Sequence, residues 1–286
     1  MFVIIGGLVV LIAVTVGFTM AGGHVGSLLH LSEFITIGGA SMGALLVMSP
    51  KKVLLDLLRG VVQVVKGTPY NKQAYLELFG LLGDISRTVR RDGMLALEPL
   101  VNDPHNSALL AQYPRIQKNH HATDFLCAGL SLLLDGNVKA EYLTGELDKE
   151  IEVVDREHHA AVGVLHKTAD ALPGFGIVAA VLGIVVTMGA IDGPASEIGH
   201  KVGAALVGTF LGILLSYGFF APMAGRMEFL GDAETTFLRA IASGIVTISA
   251  GENAREVIAR TRRIVGTESR PSIIEIEALS KGAKAA

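Results

Sequence analysis

Two long stretches, Leu172 to Ala190 and Val202 to Met223, contain no Asp, Glu, Lys, Arg or His. Each is long enough, as a helix, to cross a hydrocarbon core of about 30 Å. A membrane protein that moves an ion usually carries it on a costly intramembrane ionisable residue. These two stretches offer only a few hydroxyls and two prolines, Pro173 and Pro222. The chain is therefore either not a transporter or only part of one.

Composition agrees with a protein that is half in lipid and half in water. Of 286 residues, 50% are apolar and 18% charged, too oily for an ordinary soluble domain and too charged for spans alone. A formal net charge of -3 gives no reason to expect nucleic acid. The single cysteine, Cys127, excludes an internal disulfide and fits a reducing compartment. In an apolar helical stretch it reads as packing.

Two further apolar runs lie near the start. Phe2 to Met20 has 19 uncharged residues, about 28 Å as a helix. A secretory signal peptide would need a basic segment ahead of it, and nothing basic precedes this run. Phe34 to Met48 is shorter and glycine-rich, with Gly38, Gly39 and Gly43. At about 22 Å it must draw on flanking residues to span. Short loops, Ala21 to Glu33 and Ile191 to Lys201, join the runs in pairs.

Charge sets the expected orientation. Of 24 Lys and Arg residues, 14 lie in 51–170 and 9 in 224–286, leaving Lys201 alone in a short loop. The positive-inside tendency then puts both termini and the middle segment in the cytoplasm, with Lys51 and Lys52 directly after the second span. The expected fold class is an all-α integral membrane protein with four transmembrane helices. A large helical cytoplasmic insert separates spans 2 and 3, and a helical cytoplasmic tail follows span 4. The expected divisions are 1–50 (spans 1 and 2), 51–170 (insert), 171–223 (spans 3 and 4) and 224–286 (tail).

Within the water-facing parts, Val53 to Lys66, Gln73 to Arg91, Ser107 to Leu134 and Val138 to Thr168 carry apolar residues at helical spacing. Thr68-Pro69, Asn102-Asp103-Pro104 and Asp135-Gly136-Asn137 punctuate them. The tail predicts a helix from about Glu228 to Val265, interrupted around Ser249 to Glu252. Arg270-Pro271-Ser272 then caps a short segment, Ile273 to Leu279, before a disordered Lys281 to Ala286.

Small residues predict how the last spans associate. Gly176, Ala180 and Gly183 on one, and Gly203, Gly208 and Gly212 on the other, allow close backbone approach. The partner surface could lie within the chain, in another copy or in a different protein. Pro173 reads locally as a helix start and Pro222 as a break. Thr209 would ordinarily bond its own helix carbonyl.

Longer motifs then point further. Leu172-Pro173-Gly174-Phe175-Gly176-Ile177-Val178-Ala179-Ala180-Val181-Leu182-Gly183 and Val207-Gly208-Thr209-Phe210-Leu211-Gly212-Ile213-Leu214-Leu215-Ser216-Tyr217-Gly218 resemble the MotA family of flagellar motor stator subunits. So do Tyr113-Pro114-Arg115-Ile116, Asp148-Lys149-Glu150-Ile151-Glu152 and Arg270-Pro271-Ser272, in the expected order along the whole chain. The resemblance implies a ring of A subunits, a pentamer in the family, around a dimer of MotB-type single-span B subunits whose aspartate carries the ion. The missing carboxylate is then the partner's. It also implies that Pro173 and Pro222 couple ion passage to cytoplasmic movement, and that Thr209 faces the ion path with Tyr217 on the same span. Arg90 and Glu98 match the family's pair of charges facing the rotor switch protein FliG, and Glu150 a further cytoplasmic charge. Sodium-driven relatives tend to carry an extra hydroxyl where this chain has Ala180, which favours protons as the transported ion.

Other chemistries find little support. His120-His121 and His158-His159 with His166 lack the cysteine company of a typical metal site and read as surface residues. Lys149 with Glu150, and Glu152 with Arg156, read as helix-face ion pairs. Phosphate-binding and nucleophile motifs are missing, so no cofactor is expected and an enzyme is a poor reading. The competing function is an ExbB/TolQ-like energising subunit of another proton-driven inner-membrane complex.

Overall fold

The computed structural model describes residues 2–134, 136 and 140–282. The expected Asp135-Gly136-Asn137 turn falls outside them except for Gly136, which has φ +74°. So do Val138, where a helix was expected to begin, and the last four residues of the tail. Among the described residues the chain is all helical, without strands. Its helices are α1 (Phe2–Met20), α2 (Leu31–Met48), α3 (Lys51–Lys66), α4 (Lys72–Asp92), α5 (Glu98–Asn102), α6 (Pro114–Gln117), α7 (His120–Leu134), α8 (Ala140–Met188), α9 (Ala195–Leu215), α10 (Ala221–Ser249), α11 (Ala254–Ile264) and α12 (Ile273–Gly282). Four helical segments are long and apolar enough to cross a membrane: Phe2–Met20, Val25–Met48, and parts of Ala140–Met188 and Ala195–Ser249. The second gains its length from residues ahead of Phe34, as its short apolar run required.

The chain divides into two compact units, one of Met1–Gly67 with Glu157–Leu230, the other of Thr68–Arg156 with Gly231–Ala286. In the first, α1 buries none of its side chains. It is held through glycines: a Cβ on Gly7 would lie 3.4 Å from the Phe219 ring, and one on Gly218 would lie 3.1 Å from Val10. Amphipathic α3 turns Leu57, Val61 and Val64 onto Ala161, Leu165, Ala224 and Leu230. Gly60 lets it settle on Met227, whose terminal methyl occupies the space a Cβ would take.

The second unit is built around α4. Asn71 caps it by accepting from the Gln73 and Ala74 N–H groups, each at 3.1 Å. Gly93 ends it at φ +85°, a conformation that costs glycine little. Leu78, Phe79, Leu81, Leu82 and Ile85 are inaccessible and pack with Leu126, Leu130, Leu147, Phe237, Ile241 and Ile245. Each such side chain contributes roughly 1.5–3 kcal/mol. Tyr70 and Tyr75 close on Phe237 at ring distances of 5.0 and 5.1 Å. The tail matches expectation, with a break at Gly251 (φ +75°) and an Asn253 cap starting α11. Ser272 and Glu275 form a reciprocal cap on α12, and Lys72 pairs with Glu275 at 2.8 Å. These bonds hold the Glu275 carboxyl down at about 2.

Several expectations are corrected. Ser107 to Leu134 is not one helix: Pro104 and Pro114 divide the region into 3-10 turns and the short α6 before α7 begins at His120. Pro173 does not start a helix but lies inside α8. Pro222 does not break one either. It is the second residue of α10, and the preceding Ser216–Phe220 widens into a π turn in which the Ala221 N–H donates to the Ser216 carbonyl. The extra residue in that turn accommodates a proline without an N–H. Lys149 pairs with Glu146 rather than Glu150, at 2.8 Å. Arg156 donates to the Glu152 backbone carbonyl at 3.4 Å. Lys281 and Gly282, expected in a disordered tail, end α12.

Candidate functional site

The small residues on α8 and α9 meet each other, within one chain. A Cβ on Gly176 would lie 2.8 Å from the Gly208 carbonyl oxygen, and one on Gly212 would lie 2.6 Å from the Leu172 carbonyl oxygen. Gly183 comes equally close to Ala205, at 2.7 Å. The two backbones touch over this seam, and only glycine permits it. Gly203 takes no part, since nothing stands within 4 Å of a Cβ there.

Ala180 and Thr209 both belong to this seam. Ala180 is 9% exposed, with its N atom 3.3 Å from a Cβ placed on Gly208. The Cα of Thr209 stands 3.3 Å from one placed on Gly176. The Thr209 hydroxyl makes no hydrogen bond among the described residues, although Thr168 and Thr187 bond their own helix carbonyls at 2.9 and 2.8 Å. It is thus left available, against the usual habit of a span threonine. Pro173 follows Leu172, whose carbonyl abuts Gly212, so one end of the seam carries a missing backbone bond. Leu172 and Phe220 share one apolar cluster with Ile37 and Leu211. Tyr217 is 67% exposed on the π turn, and Pro222 is exposed just beyond it. A cavity of about 990 Å³ lined by Val14, Phe18, His30, His200 and Phe210 lies beside the seam, and none of these site residues lines it.

One residue escaped the sequence reading. The sequence places Glu33 at the end of the loop Ala21 to Glu33, but it lies in the first turn of α2 and is 6% exposed. Its Oε2 stands 2.7 Å from a Cβ placed on Gly208 and lacks a hydrogen-bond partner among the described residues. Because charge-free runs were counted from Phe34, the acid that precedes this run was invisible. The α8–α9 seam, itself free of ionisable residues, thus has a buried carboxyl set against it from α2. Glu33 followed four residues later by Ile37, also buried, at helical spacing, was the available signal.

In the second unit, Arg90 lies in the last turn of α4 and Glu98 opens α5, with Gly93 and a 3-10 turn at Met94–Leu97 between them. Arg91 and Asp92 neutralise one another through a bidentate pair at 2.7 to 3.0 Å, which holds the Asp92 carboxyl below the usual carboxylate range. Among the described residues Arg90 and Glu98 form no hydrogen bond or ion pair. Both are exposed, with Leu95, 72% exposed, between them. Arg90 and Glu98 are thus the charges of this edge without an ion-pair partner among the described residues. Glu150 stands on α8, its carboxyl raised by partial burial, and no bond joins it to either.

Other motif residues serve the fold. Tyr113 bonds Asp84 and lies over Gly80. Arg115 pairs with Glu77 at 3.2 Å, and Arg270 donates to the Val265 carbonyl at 2.8 Å. Cys127 is buried, and burial pushes its thiol up to about 11. His121 bonds the buried Glu234 at 2.8 Å, and among the described residues no group of three potential ligands converges on a metal position.

Long apolar helices with a glycine seam, joined to a charged helical unit, define the class: an all-helical chain with four segments long and apolar enough to cross a membrane. Residues 4–93 match the family model described as Motility protein A N-terminal, and residues 117–240 that of the MotA/TolQ/ExbB proton channel family. Motility protein A of Salmonella typhimurium is 34% identical over 97% of this chain and 94% of its own length. That of Escherichia coli is 33% identical over the same shares. A solved structure described as C. jejuni MotAB superposes with a TM-score of 0.78, covering 95% of this chain and 98% of that one. At 22% identity it attests the fold. The chain belongs to the motility protein A family: it is a stator ion-channel subunit of the flagellar motor, not an enzyme.

Proposed function

We propose that this chain is the A subunit of a proton-driven stator in the bacterial inner membrane, turning ion flow into torque on the rotor. The α8–α9 seam carries the reading: a close-packed wall with an available hydroxyl at Thr209 and no ionisable residue on Leu172–Ala190 or Val202–Met223. Such a wall needs a carboxylate from elsewhere. A single-span B subunit of the MotB type supplies it, as an aspartate, and copies of this chain form a ring, a pentamer, around a B dimer in the bilayer. With four spans and the Lys and Arg residues gathered in 51–170 and 224–286, the positive-inside tendency supports a cytoplasmic position for both termini, the insert and the tail. Ala180 offers no oxygen to replace a sodium hydration shell, so the ion is a proton and no cofactor takes part.

Tyr217, further along the same span as Thr209, completes the path, and Pro173 and Pro222 couple it to the cytoplasmic unit. Arg90 and Glu98, with Glu150 as a further contact, face FliG. Exposed charges of this kind contribute little to stability and act through steering and register. Reconstituted in vesicles, the chain alone is expected to pass no protons, and with its B subunit to pass them. Proton flux without any B subunit overturns the partner-supplied carboxylate. Arg90→Glu or Glu98→Lys is expected to cut swimming several-fold with unchanged expression and B-subunit binding. Unchanged swimming in both variants removes the rotor contact.

A further inference from the structure

We infer that Glu33 is a proton-binding group supplied by this chain to the ion route, set on the seam at Gly208, between its Gly212 and Gly183 ends. This rests on the stator reading and adds to it a site on the A subunit itself. Glu33 is 6% exposed, and Oε2 has no partner. Space for it exists because residue 208 is glycine: a Cβ there would lie 2.7 Å from Oε2, 3.0 Å from the Ala179 methyl and 3.3 Å from the Ala180 N atom. The carboxyl is thus set over the backbone residue that precedes Thr209, beside the α8 residue whose lack of a hydroxyl favours protons.

The surroundings give its charge no permanent counterpart. On α9 it lies over Gly208, and the α8 atoms that crowd the same position belong to Ala179 and Ala180; none of the three residues is titratable. On its own segment the polar neighbours are His30 and the Ser32 hydroxyl. An ionised carboxylate without a fixed cation is costly in such a place. A group there to stabilise the fold would be better replaced by glutamine, which hydrogen-bonds without a charge. What glutamine cannot do is take up and release a proton. In the inferred step the Glu33 carboxylate gains a proton from the outer side. Its O–H bond then breaks as an O–H bond forms on the partner's aspartate carboxylate, which regenerates the Glu33 carboxylate.

The test uses the complete A–B stator in motile cells, with single-motor speed at fixed load measured from mildly acidic to mildly alkaline external medium. Glu33→Gln is expected to assemble normally, to run several-fold slower at neutral pH, and to recover as the medium is acidified and direct proton supply rises. Glu33→Asp is expected to keep most of the speed. A Glu33→Gln motor with the wild-type speed and pH profile overturns the inference, and so does a deficit that is the same at every pH. Should Glu33→Gln fail to assemble, Glu33→Asp decides: a profile displaced along the pH axis supports the inference, and an unshifted one overturns it. Changing the partner's aspartate to asparagine separates the two readings. If that change stops rotation while Glu33→Gln is silent, the stator reading stands and only the Glu33 site falls. If that change leaves rotation intact, the stator reading falls as well.

Discussion

Gly212→Val is expected to abolish swimming by preventing the stator from assembling. The added Cβ alone would stand 2.6 Å from the Leu172 carbonyl oxygen and 3.0 Å from the Gly176 Cα. Both are backbone atoms, so no rotamer can relieve the clash and the helices must separate. Overpacking in a formed interior costs about 1–3 kcal/mol, and a β-branched residue at a backbone-to-backbone contact sits at the upper end. Gly176→Val meets the Gly208 carbonyl oxygen at 2.8 Å and should behave alike. Gly212→Ala is the graded member of the series, with reduced assembly and a lowered melting temperature of the purified complex. The comparison is Gly225→Ala on α10, where nothing lies within 4 Å of the new methyl. There helix propensity gains roughly 1 kcal/mol. The readouts are stator recovered from membranes, melting temperature and swimming speed. Wild-type assembly in Gly212→Val would mean that the seam opens without consequence, and the wall it forms would lose its claim to be a working surface.

The seam also illustrates what the residue pattern carries and what it does not. Glycines recurring on two apolar runs announce close packing, but spacing is silent about which surface they meet. Gly203 shares the pattern with Gly208 and Gly212 yet touches nothing, because only the face turned to α8 counts. Periodicity was reliable where one apolar face is long and continuous, as in α3 and α4, and failed between Ser107 and Asn119. There Leu110 and Ile116 are fully buried from 3-10 turns and a short helix, so burial mimics a helical face without one helix. Glu33 was hidden by a threshold: a run defined by the absence of charge starts after the charge. The unpaired state of Arg90 and Glu98 was not legible, since Arg91 could as well have paired with Glu98. Only the bidentate geometry with Asp92 settles the partner.

The prolines were misread for a related reason, and their correction carries the other large prediction. A proline rule assigns helix ends because an interior proline loses a backbone bond and clashes with the preceding turn, at about 3 kcal/mol or more. In α8 that cost is accepted at Pro173, in the interior of the 49-residue Ala140–Met188 helix, next to the Leu172 carbonyl that rests on Gly212. At Pro222 it is absorbed by the π turn over Ser216–Phe220. Both are points where a helix continues while lacking the bond that would stiffen it, which is what a hinge requires. Pro173→Ala restores a donor to the Ala169 carbonyl and Pro222→Ala one to the carbonyl of the preceding turn. Each straightens and stabilises its helix, so assembly and melting temperature are expected to hold or rise while stall torque falls several-fold. The larger loss is expected at Pro173, where the stiffened turn lies against the seam itself. At Pro222 the π turn still leaves a softer segment. Torque at stall, compared with stator number per motor counted by fluorescence, separates the two effects. If torque falls only in proportion to stator number, the prolines are packing features of their helices and coupling must be sought elsewhere. If torque per stator falls while the number holds, the missing backbone bonds are part of how this subunit moves.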